Sequence, residues 1–261
     1  MRTCMDCGAP YEELIYVRRD GTELAPDPRC RACSSVYDHA QRAEAHRLEV
    51  LRADTEKRQE WKTALAQELE EKFRAATFDT FVRTKQPAAF KAMSTWDGQS
   101  LVLTSPPGVY GVGKTHLAAA LANRLTETST AAVSVQGSVV RLPRPCAFTT
   151  EPLLMDRIRA TFNDGARETD EEIYLQLERV RLLIVDDVGK RTPRDLSFTQ
   201  QVWFRIIDGR YRAQRPLVLT TNLLPNELDQ HIGGACADRL MEMCGASGLI
   251  AMKGTSYRRR L

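Results

Sequence analysis

Short apolar runs alternate with longer amphipathic stretches from about residue 75 onward. Five of the apolar runs have the length and character of buried strands: 101–103, 146–148, 182–185, 217–219 and 249–252. Four stretches between them have helical spacing: 114–126, 152–163, 196–212 and 234–243. Alternating strands and helices predict an α/β fold, with a five-stranded parallel sheet flanked by helices on both faces. Residues 128–145 are rich in Ser, Thr, Gly and Pro and predict an extended connection or a hairpin.

The chain before this region divides into two parts. Residues 38–74 are charged and lack Pro and Gly, which predicts a long helix. Apolar residues recur on it every four positions, at Trp61, Leu65, Leu69 and Phe73. Such a stripe packs on the same domain or on a partner, whereas a coiled coil would need a longer heptad pattern. Because residues 1–37 are rich in Cys, Pro and Gly, the predicted domains are 1–37, 38–74 and 75–261.

Composition narrows the class of protein. The chain has 261 residues, of which 43% are hydrophobic and 27% are charged, as is ordinary for a globular protein. A formal net charge of +3 predicts no general basic coat, so any surface for nucleic acid must be local. No apolar run approaches the ~20 residues of a membrane span, and no secretory signal follows the N-terminus. We therefore expect a cytoplasmic protein without membrane contact, from a bacterium or a phage.

Two CxxC pairs near the N-terminus indicate a metal site. Cys4 and Cys7 are separated by 22 residues from Cys30 and Cys33, close to the spacing of four-cysteine zinc sites. In a module of under 40 residues, a closed Zn²⁺ site would supply much of the stability. An iron–sulfur cluster or a redox pair is the alternative. Three cysteines outside the pairs are predicted core thiols: Cys146, Cys236 and Cys244.

The strongest motif is a phosphate-binding loop. Residues 108–115 fit GxxxxGK[ST], with Gly108, Gly113, Lys114 and Thr115 at the fixed positions and Gly111 between them. Glycines let backbone N–H groups turn toward phosphate oxygens, and the following helix adds positive charge at its N-terminus. We expect Lys114 to contact the β- and γ-phosphates of ATP, and Thr115 to bind Mg²⁺. The alternative is a glycine-rich turn that contains a lysine by chance.

Polar residues follow two of the predicted strands. Asp186 and Asp187 come after the run 182–185, where a carboxylate would meet the phosphate-binding loop at the carboxyl edge of the sheet. Asp186 is the candidate Mg²⁺ ligand, and Asp187 is the candidate to orient or deprotonate the attacking water. Asn222 follows another strand and is a candidate for the γ-phosphate or its water. Solvated Asp-Asp and Thr-Asn turns are the alternatives.

Together these motifs resemble the DnaC/DnaI/IstB group of AAA+ ATPases, and its helicase loaders most of all, from about Phe78 to Arg258. The matching segments lie in order along the chain: 76–81, 106–117, 183–189, 207–211, 220–223, 238–240 and 254–258. The resemblance implies an AAA+ P-loop domain, here preceded by a zinc-binding module and a long helix. It implies that ATP binds at the boundary between subunits of a self-associating protein.

The resemblance also implies roles for individual residues. Arg239 resembles an arginine finger that reaches the nucleotide of a neighbouring subunit, and Arg258 resembles a sensor arginine. The alternatives are a surface arginine and a solvated basic tail. His116 lies in the matched loop segment and joins the nucleotide-binding candidates, whereas Phe78 and Phe81 are candidates for the adenine pocket.

The implied function is that of a helicase loader. Such a protein would assemble on single-stranded DNA with ATP and place a DnaB-type replicative helicase, which the zinc module and the long helix would grip. Hydrolysis is expected to be slow and regulated by DNA or by the partner, because Asp187 is one methylene shorter than the glutamate often found there. An IstB-like transposition ATPase is the nearest alternative. A small-molecule kinase and a non-hydrolysing adaptor are the others.

Overall fold

The protein is described from a computed structural model, which covers residues 1–12 and 27–257. It contains two compact units, Met1–Thr55 with Ala132–Arg141, and Glu56–Ala131 with Leu142–Leu261. The helices and strands in chain order are β1 (Arg2–Thr3), β2 (Pro10–Tyr11), α1 (Arg31–Glu68), α2 (Pro87–Ser94), β3 (Leu101–Thr104), α3 (Lys114–Thr128), β4 (Ala132–Val135), β5 (Ser138–Arg141), β6 (Cys146–Thr150), α4 (Glu151–Ala160), α5 (Asp170–Arg179), β7 (Leu182–Val188), α6 (Leu196–Arg212), β8 (Leu217–Thr221), α7 (Pro225–Ile232), α8 (Gly234–Cys244) and β9 (Leu249–Ala251).

A five-stranded parallel sheet forms the centre of the second unit, as predicted. Its strand order is β6-β7-β8-β3-β9, so the phosphate-binding loop after β3 lies next to the end of β8. The central strands β3 and β8 are buried along their whole length, which explains their continuous apolar sequence. The five apolar runs of the sequence all form strands of this sheet.

Helices cover both faces of the sheet. Leu101 and Leu103 of β3 belong to a core cluster that also contains Leu117 and Leu121 of α3. Val102, between them, belongs to the opposite cluster, which is formed mainly by α4, α5, α6, α7 and α8. The predicted core thiols, Cys146, Cys236 and Cys244, are all buried. Among the described residues, no helix is long and apolar enough to cross a membrane.

The long helix is confirmed, but its predicted bounds of 38–74 are wrong. Helix α1 begins at Arg31 and ends at Glu68, and a short 3-10 turn, Glu71–Phe73, follows it. The Glu68 carboxylate accepts two hydrogen bonds of 2.8 Å from Arg144 and one of 3.0 Å from the backbone N–H of Phe148. These tertiary bonds fix the last helical residue, which the local pattern could not show. The predicted three-part domain division stays a prediction.

The apolar stripe of α1 packs within the second unit. Trp61, Leu65 and Leu69 are buried, and Leu65 and Leu69 join the core cluster of α3. Within the first unit, β4 and β5 form an antiparallel hairpin, which confirms one of the two forms predicted for residues 128–145. The Asp54 side chain accepts a hydrogen bond of 3.1 Å from the backbone N–H of Ala132 in this unit.

Candidate nucleotide and metal sites

The phosphate-binding loop has the backbone conformation that its glycines predict. Gly108, Gly111 and Gly113 have φ values of 82°, 70° and 98°, all in the left-handed region. A Cβ atom at Gly113 would lie 2.5 Å from the ring of Phe81, so this position also requires glycine for space. Helix α3 begins at Lys114, directly after the loop, and the N–H groups of its first turn point toward the loop.

Lys114 and Asn222 meet at this loop. The Lys114 ammonium donates hydrogen bonds of 2.6 Å to the Asn222 Oδ1 and 2.6 Å to the Ser105 hydroxyl, and the lysine is only 7% exposed. Ser105 in turn donates a bond of 2.8 Å to the carbonyl of Val109 within the loop. The ammonium is therefore held in place beside the loop before a phosphate arrives. The sequence did not identify Ser105 as a site residue, because a serine between a strand and a proline is typical of an ordinary turn.

Asp186 and Thr115 form the oxygen-rich part of the site. The Thr115 hydroxyl lies 3.1 and 3.0 Å from the two carboxylate oxygens of Asp186, and the Thr220 hydroxyl also donates to this carboxylate. Burial, together with the neighbouring charge of Asp187, raises the pKa of Asp186 to about 6. The hydrogen bonds from Thr220 and Thr115 and the charge of Lys114 oppose this shift. A hydroxyl and a carboxylate are ligands that suit Mg²⁺, so these residues fit the ion.

Asp187 lies at an irregular point of β7. Its φ is 57°, and the register between β7 and β8 shifts between Val185 and Val188. The backbone N–H of Asp187 donates to the Thr220 hydroxyl at 3.0 Å, whereas its carboxylate pairs with Lys190 at 2.5 Å. Asp187 and Lys190 both line the cleft above the loop. Thr220 therefore links the two aspartates, which sequence reasoning did not detect.

A buried glutamate supports the turn after the two aspartates. One oxygen of Glu151 accepts from the backbone N–H of Gly189 at 2.7 Å. The other oxygen lies 2.7 Å from Trp203 Nε1 and 2.7 Å from His231 Nε2. Glu151 is 4% exposed, and it is the first residue of α4. It therefore connects three elements to this turn, and nothing in its local sequence distinguishes it from an ordinary helix-start glutamate.

An aromatic wall lies on one side of the cleft, which has a volume of about 520 Å³. Phe81, His116 and Tyr257 line it, and the ring centroids of Phe81 and His116 are 5.5 Å apart. The His116 Nε2 lies 3.0 Å from the carbonyl of Thr77 and 3.1 Å from the Thr80 hydroxyl. Of the two phenylalanine candidates, Phe81 lines this cleft, whereas Phe78 packs edge-on against Phe90. The adenine-pocket role of Phe78 therefore has no support in this geometry.

The four paired cysteines come together in the first unit. Their sulfur atoms all lie within 4.8 Å of one another, and the Cys7 and Cys30 sulfurs are 3.7 Å apart. A tetrahedral zinc ion with Zn–S bonds of about 2.3 Å places its sulfurs about 3.8 Å apart, so the cluster has the size that Zn²⁺ requires. Backbone N–H groups of Cys30 and Cys7 lower the pKa of Cys4, which favours its thiolate. The neighbouring thiols of Cys30, Cys7 and Cys4 raise the pKa of Cys33, the fourth member.

A comparison with protein families agrees with this geometry. A family described as "IstB-like ATP binding protein" matches residues 46–261, which is most of the chain. The chain belongs to this family. The IstB-like region thus covers the whole parallel sheet, the phosphate-binding loop and the Asp186–Thr115 pair, whereas the four cysteines lie before it.

Two curated relatives of this IstB-like protein have names that refer to replication. The replicative helicase loader DnaC of Escherichia coli is 29% identical over 155 residues, which cover 59% of this chain and 55% of that protein. The chromosomal replication initiator protein DnaA of Lactiplantibacillus plantarum is 30% identical over 164 residues, 59% of this chain and 31% of that protein. The match therefore spans about half of DnaC and a third of DnaA.

Solved structures show the same fold. A crystal structure of the DnaC helicase loader superposes with a TM-score of 0.53 and 21% identity, covering 70% of this chain and 100% of that one. A crystal structure of DnaI gives a TM-score of 0.51 and 17% identity, covering 72% and 93%. The α/β fold predicted for the IstB-like chain, with a five-stranded parallel sheet flanked by helices, is thus confirmed.

The structure describes one of the two arginines that the resemblance singled out, Arg239. Arg239 lies on α8, 32% exposed at its side chain, and its guanidinium is 3.6 Å from the Asp208 carboxylate of the same chain. It also lies 5.5 Å from the ring centroid of Phe204, an exposed residue of α6. Arg239 is not among the residues that line the cleft of its own IstB-like domain. Arg258 lies outside the described residues.

Proposed function

We propose that this protein is an ATP-dependent helicase loader, which binds single-stranded DNA and a DnaB-type replicative helicase during replication initiation. The observation that carries the proposal is the assembled site of Lys114, Asn222, Thr115 and Asp186 in a chain related to DnaC. The site has the groups that bind a nucleoside triphosphate with its metal ion, and DnaC, which is named as a helicase loader, shares the fold that contains it.

We propose that the same site hydrolyses ATP slowly. Mg²⁺ held by Thr115 and Asp186 would neutralise charge on the phosphates when it is bound. Lys114 places its ammonium on the phosphate oxygens, and Asn222, which already contacts Lys114, orients the attacking water. The Asp187 carboxylate first separates from Lys190, its ion-pair partner in this structure, and then accepts the proton of that water. The ion pair explains why turnover would depend on DNA or on a partner, because the base is occupied in the resting cleft.

We propose further that Arg239 acts on the nucleotide of a neighbouring subunit in a self-associated form. Two features support this role: the guanidinium is partly exposed, and Asp208 and Phe204 hold it in one orientation on the surface of α8. A fixed guanidinium stabilises the charge that develops on a transferred phosphoryl group. The role of Arg258 as a sensor arginine belongs to the same proposal.

ATP turnover with and without single-stranded DNA tests this proposal. We expect DNA to stimulate the wild-type protein, and we expect Lys114→Ala to lose both ATP binding and turnover. Arg239→Ala should keep ATP binding but lose turnover by on the order of 10³-fold, because the finger acts only on the transition state. Arg212→Ala is the matched control, since Arg212 also pairs with Asp208 and should matter little.

The outcomes of this assay separate the classes of function. If DNA does not change wild-type turnover and Arg239→Ala turns over ATP at the wild-type rate, the proposed role of Arg239 on a neighbouring subunit is wrong. Stoichiometric phosphorylation of a small-molecule acceptor would indicate a kinase instead. ATP binding without turnover under every condition would indicate an adaptor that uses nucleotide only to hold its shape.

Capture of a partner by the full-length chain tests the loader assignment. We propose that Zn²⁺ bound by Cys4, Cys7, Cys30 and Cys33 shapes a module that grips the helicase together with α1. The wild-type chain should therefore retain a purified DnaB-type helicase, whereas Cys30→Ser should lose it and still bind ATP. Glu171→Ala, an exposed change on α5 in the second unit, is the control and should behave as wild type. Retention of a transposase and no helicase would overturn the assignment in favour of an IstB-like transposition ATPase.

A further inference from the structure

The segment after the last strand returns across the phosphate-binding loop. Residues 252–257, which we name the C-terminal strap, follow β9. The backbone N–H of Met252 donates to the carbonyl of Thr104 at 2.7 Å, and the side-chain amide of Gln86 donates to the carbonyl of Lys253. At the far end, the backbone N–H of Tyr257 donates to the carbonyl of Gly111 at 2.8 Å. The strap is thus attached to the loop itself.

The side chain of Tyr257 closes one side of the cleft. Its hydroxyl donates to the carbonyl of Val82 at 3.1 Å, and its ring centroid lies 5.7 Å from that of Phe81. The Lys85 ammonium lies 4.6 Å from the centroid of the same Tyr257 ring. A Cβ atom at Gly113 would lie 3.5 Å from the Tyr257 ring, so the ring is packed directly against the phosphate-binding loop.

Gly254 gives the strap a point at which its backbone can turn. Ser256 and Tyr257 are partly exposed, whereas Met252 at its base is buried. Gly254, between these ends, has a φ of 110°, and no atom lies within 4 Å of its potential Cβ. A glycine in open space at this conformation is free to change its backbone angles. The tyrosine end can therefore move while the base of the strap stays fixed.

We propose that Tyr257 retains the bound nucleotide and that movement of the strap sets the rate of nucleotide release. This inference rests on the proposed ATP-binding function of the same cleft. The ring of Tyr257, beside Phe81, offers an aromatic face to the base of the nucleotide. The bond from its backbone N–H fixes the carbonyl of Gly111, which keeps the neighbouring N–H groups of the loop directed at the phosphates. Release then requires the ring to leave the base and the strap to leave Gly111.

Dissociation of a fluorescent ATP analogue from the full-length protein tests this inference. The protein is loaded with the analogue and Mg²⁺, mixed with excess ATP, and the decay of fluorescence is followed. Tyr257→Ala should speed release by roughly 10- to 100-fold, as expected for loss of base stacking, while association changes little. Tyr257→Phe keeps the ring and the backbone bond and should stay within about threefold of wild type by the same argument.

Two further variants keep the test decisive. Tyr257→Leu retains apolar packing on Phe81 but lacks an aromatic face, so it should fold as wild type and still release faster. Tyr174→Ala removes a tyrosine from α5, in the cluster on the other face of the sheet, and should leave release unchanged. Wild-type release from a folded Tyr257→Leu or Tyr257→Ala would overturn the role of Tyr257. If the wild type itself bound no analogue, the proposed ATP-binding function would fail together with this inference.

Discussion

Replacing Asp186 by asparagine should stabilise the metal-free protein and abolish ATP hydrolysis. The carboxylate is 2% exposed, and its pKa is about 6 rather than the usual 3.8. A raised pKa in the folded state means that the ionised group opposes folding above pH 6, and that this penalty is relieved as the pH falls toward 4. The difference between these pKa values corresponds to on the order of 3 kcal/mol at pH 7.

Thermal unfolding and ATP turnover measure the two halves of this prediction. Without Mg²⁺ at pH 7, Asp186→Asn should melt roughly 6–12 °C higher than wild type, and the difference should shrink by pH 5. Turnover should be lost, because the amide cannot bind Mg²⁺ as the carboxylate does. Asp187→Asn is the comparison: its side chain is 23% exposed and paired with Lys190, so its gain in stability should be smaller. An Asp186→Asn variant that melts below wild type would contradict this account.

Removal of zinc should unfold the part of the first unit that surrounds the four paired cysteines, while the second unit stays folded. Among its described residues, the first unit holds two short strands, α1 as far as Thr55 and one hairpin, so little apolar core is available to it. Structural zinc sites of this kind contribute apparent free energies on the order of 10–16 kcal/mol in isolated peptides. We therefore expect one zinc per chain and loss of amide protection in β1, β2 and the first turns of α1 after chelation.

Metal analysis measures the zinc content, and hydrogen exchange measures the loss of amide protection. Unchanged ATP binding would show that the second unit is still folded. Cys30→Ser should purify with less zinc and show the same loss of protection without chelator. His39→Ala should retain full zinc. Iron with visible absorbance would instead indicate an iron–sulfur cluster, and unchanged protection after chelation would show that the module folds without its metal.

The sheet and the phosphate site were predictable because their signals are local. A buried parallel strand needs a short apolar run, and the loop needs glycines at fixed positions before a lysine. Lys114 and Asn222 were placed at the same edge because strand ends converge there, and the structure brings them to 2.6 Å. The direct bond between them did not follow from the motifs, because it depends on the register of β3 and β8.

Other features depend on contacts between distant residues. Helices α2, α5 and α7 were not predicted, since they have only 8, 10 and 8 residues and few buried positions to show a period. Glu151 became visible only when its three hydrogen-bond partners were known. Tyr257 was read as part of a family segment, and its contact with Gly111 requires the chain to fold back after β9.

The left-handed backbone at Asp187 limits how this site can evolve. Aspartate and asparagine adopt positive φ several-fold more readily than most residues, so the irregular turn selects a short side chain at this position. Asp187→Glu alone would lengthen the side chain but would place a glutamate at a positive φ, which glutamate adopts less readily than aspartate. For the proposed ATPase, a longer carboxylate at this position would therefore require a change in the turn as well as in the side chain.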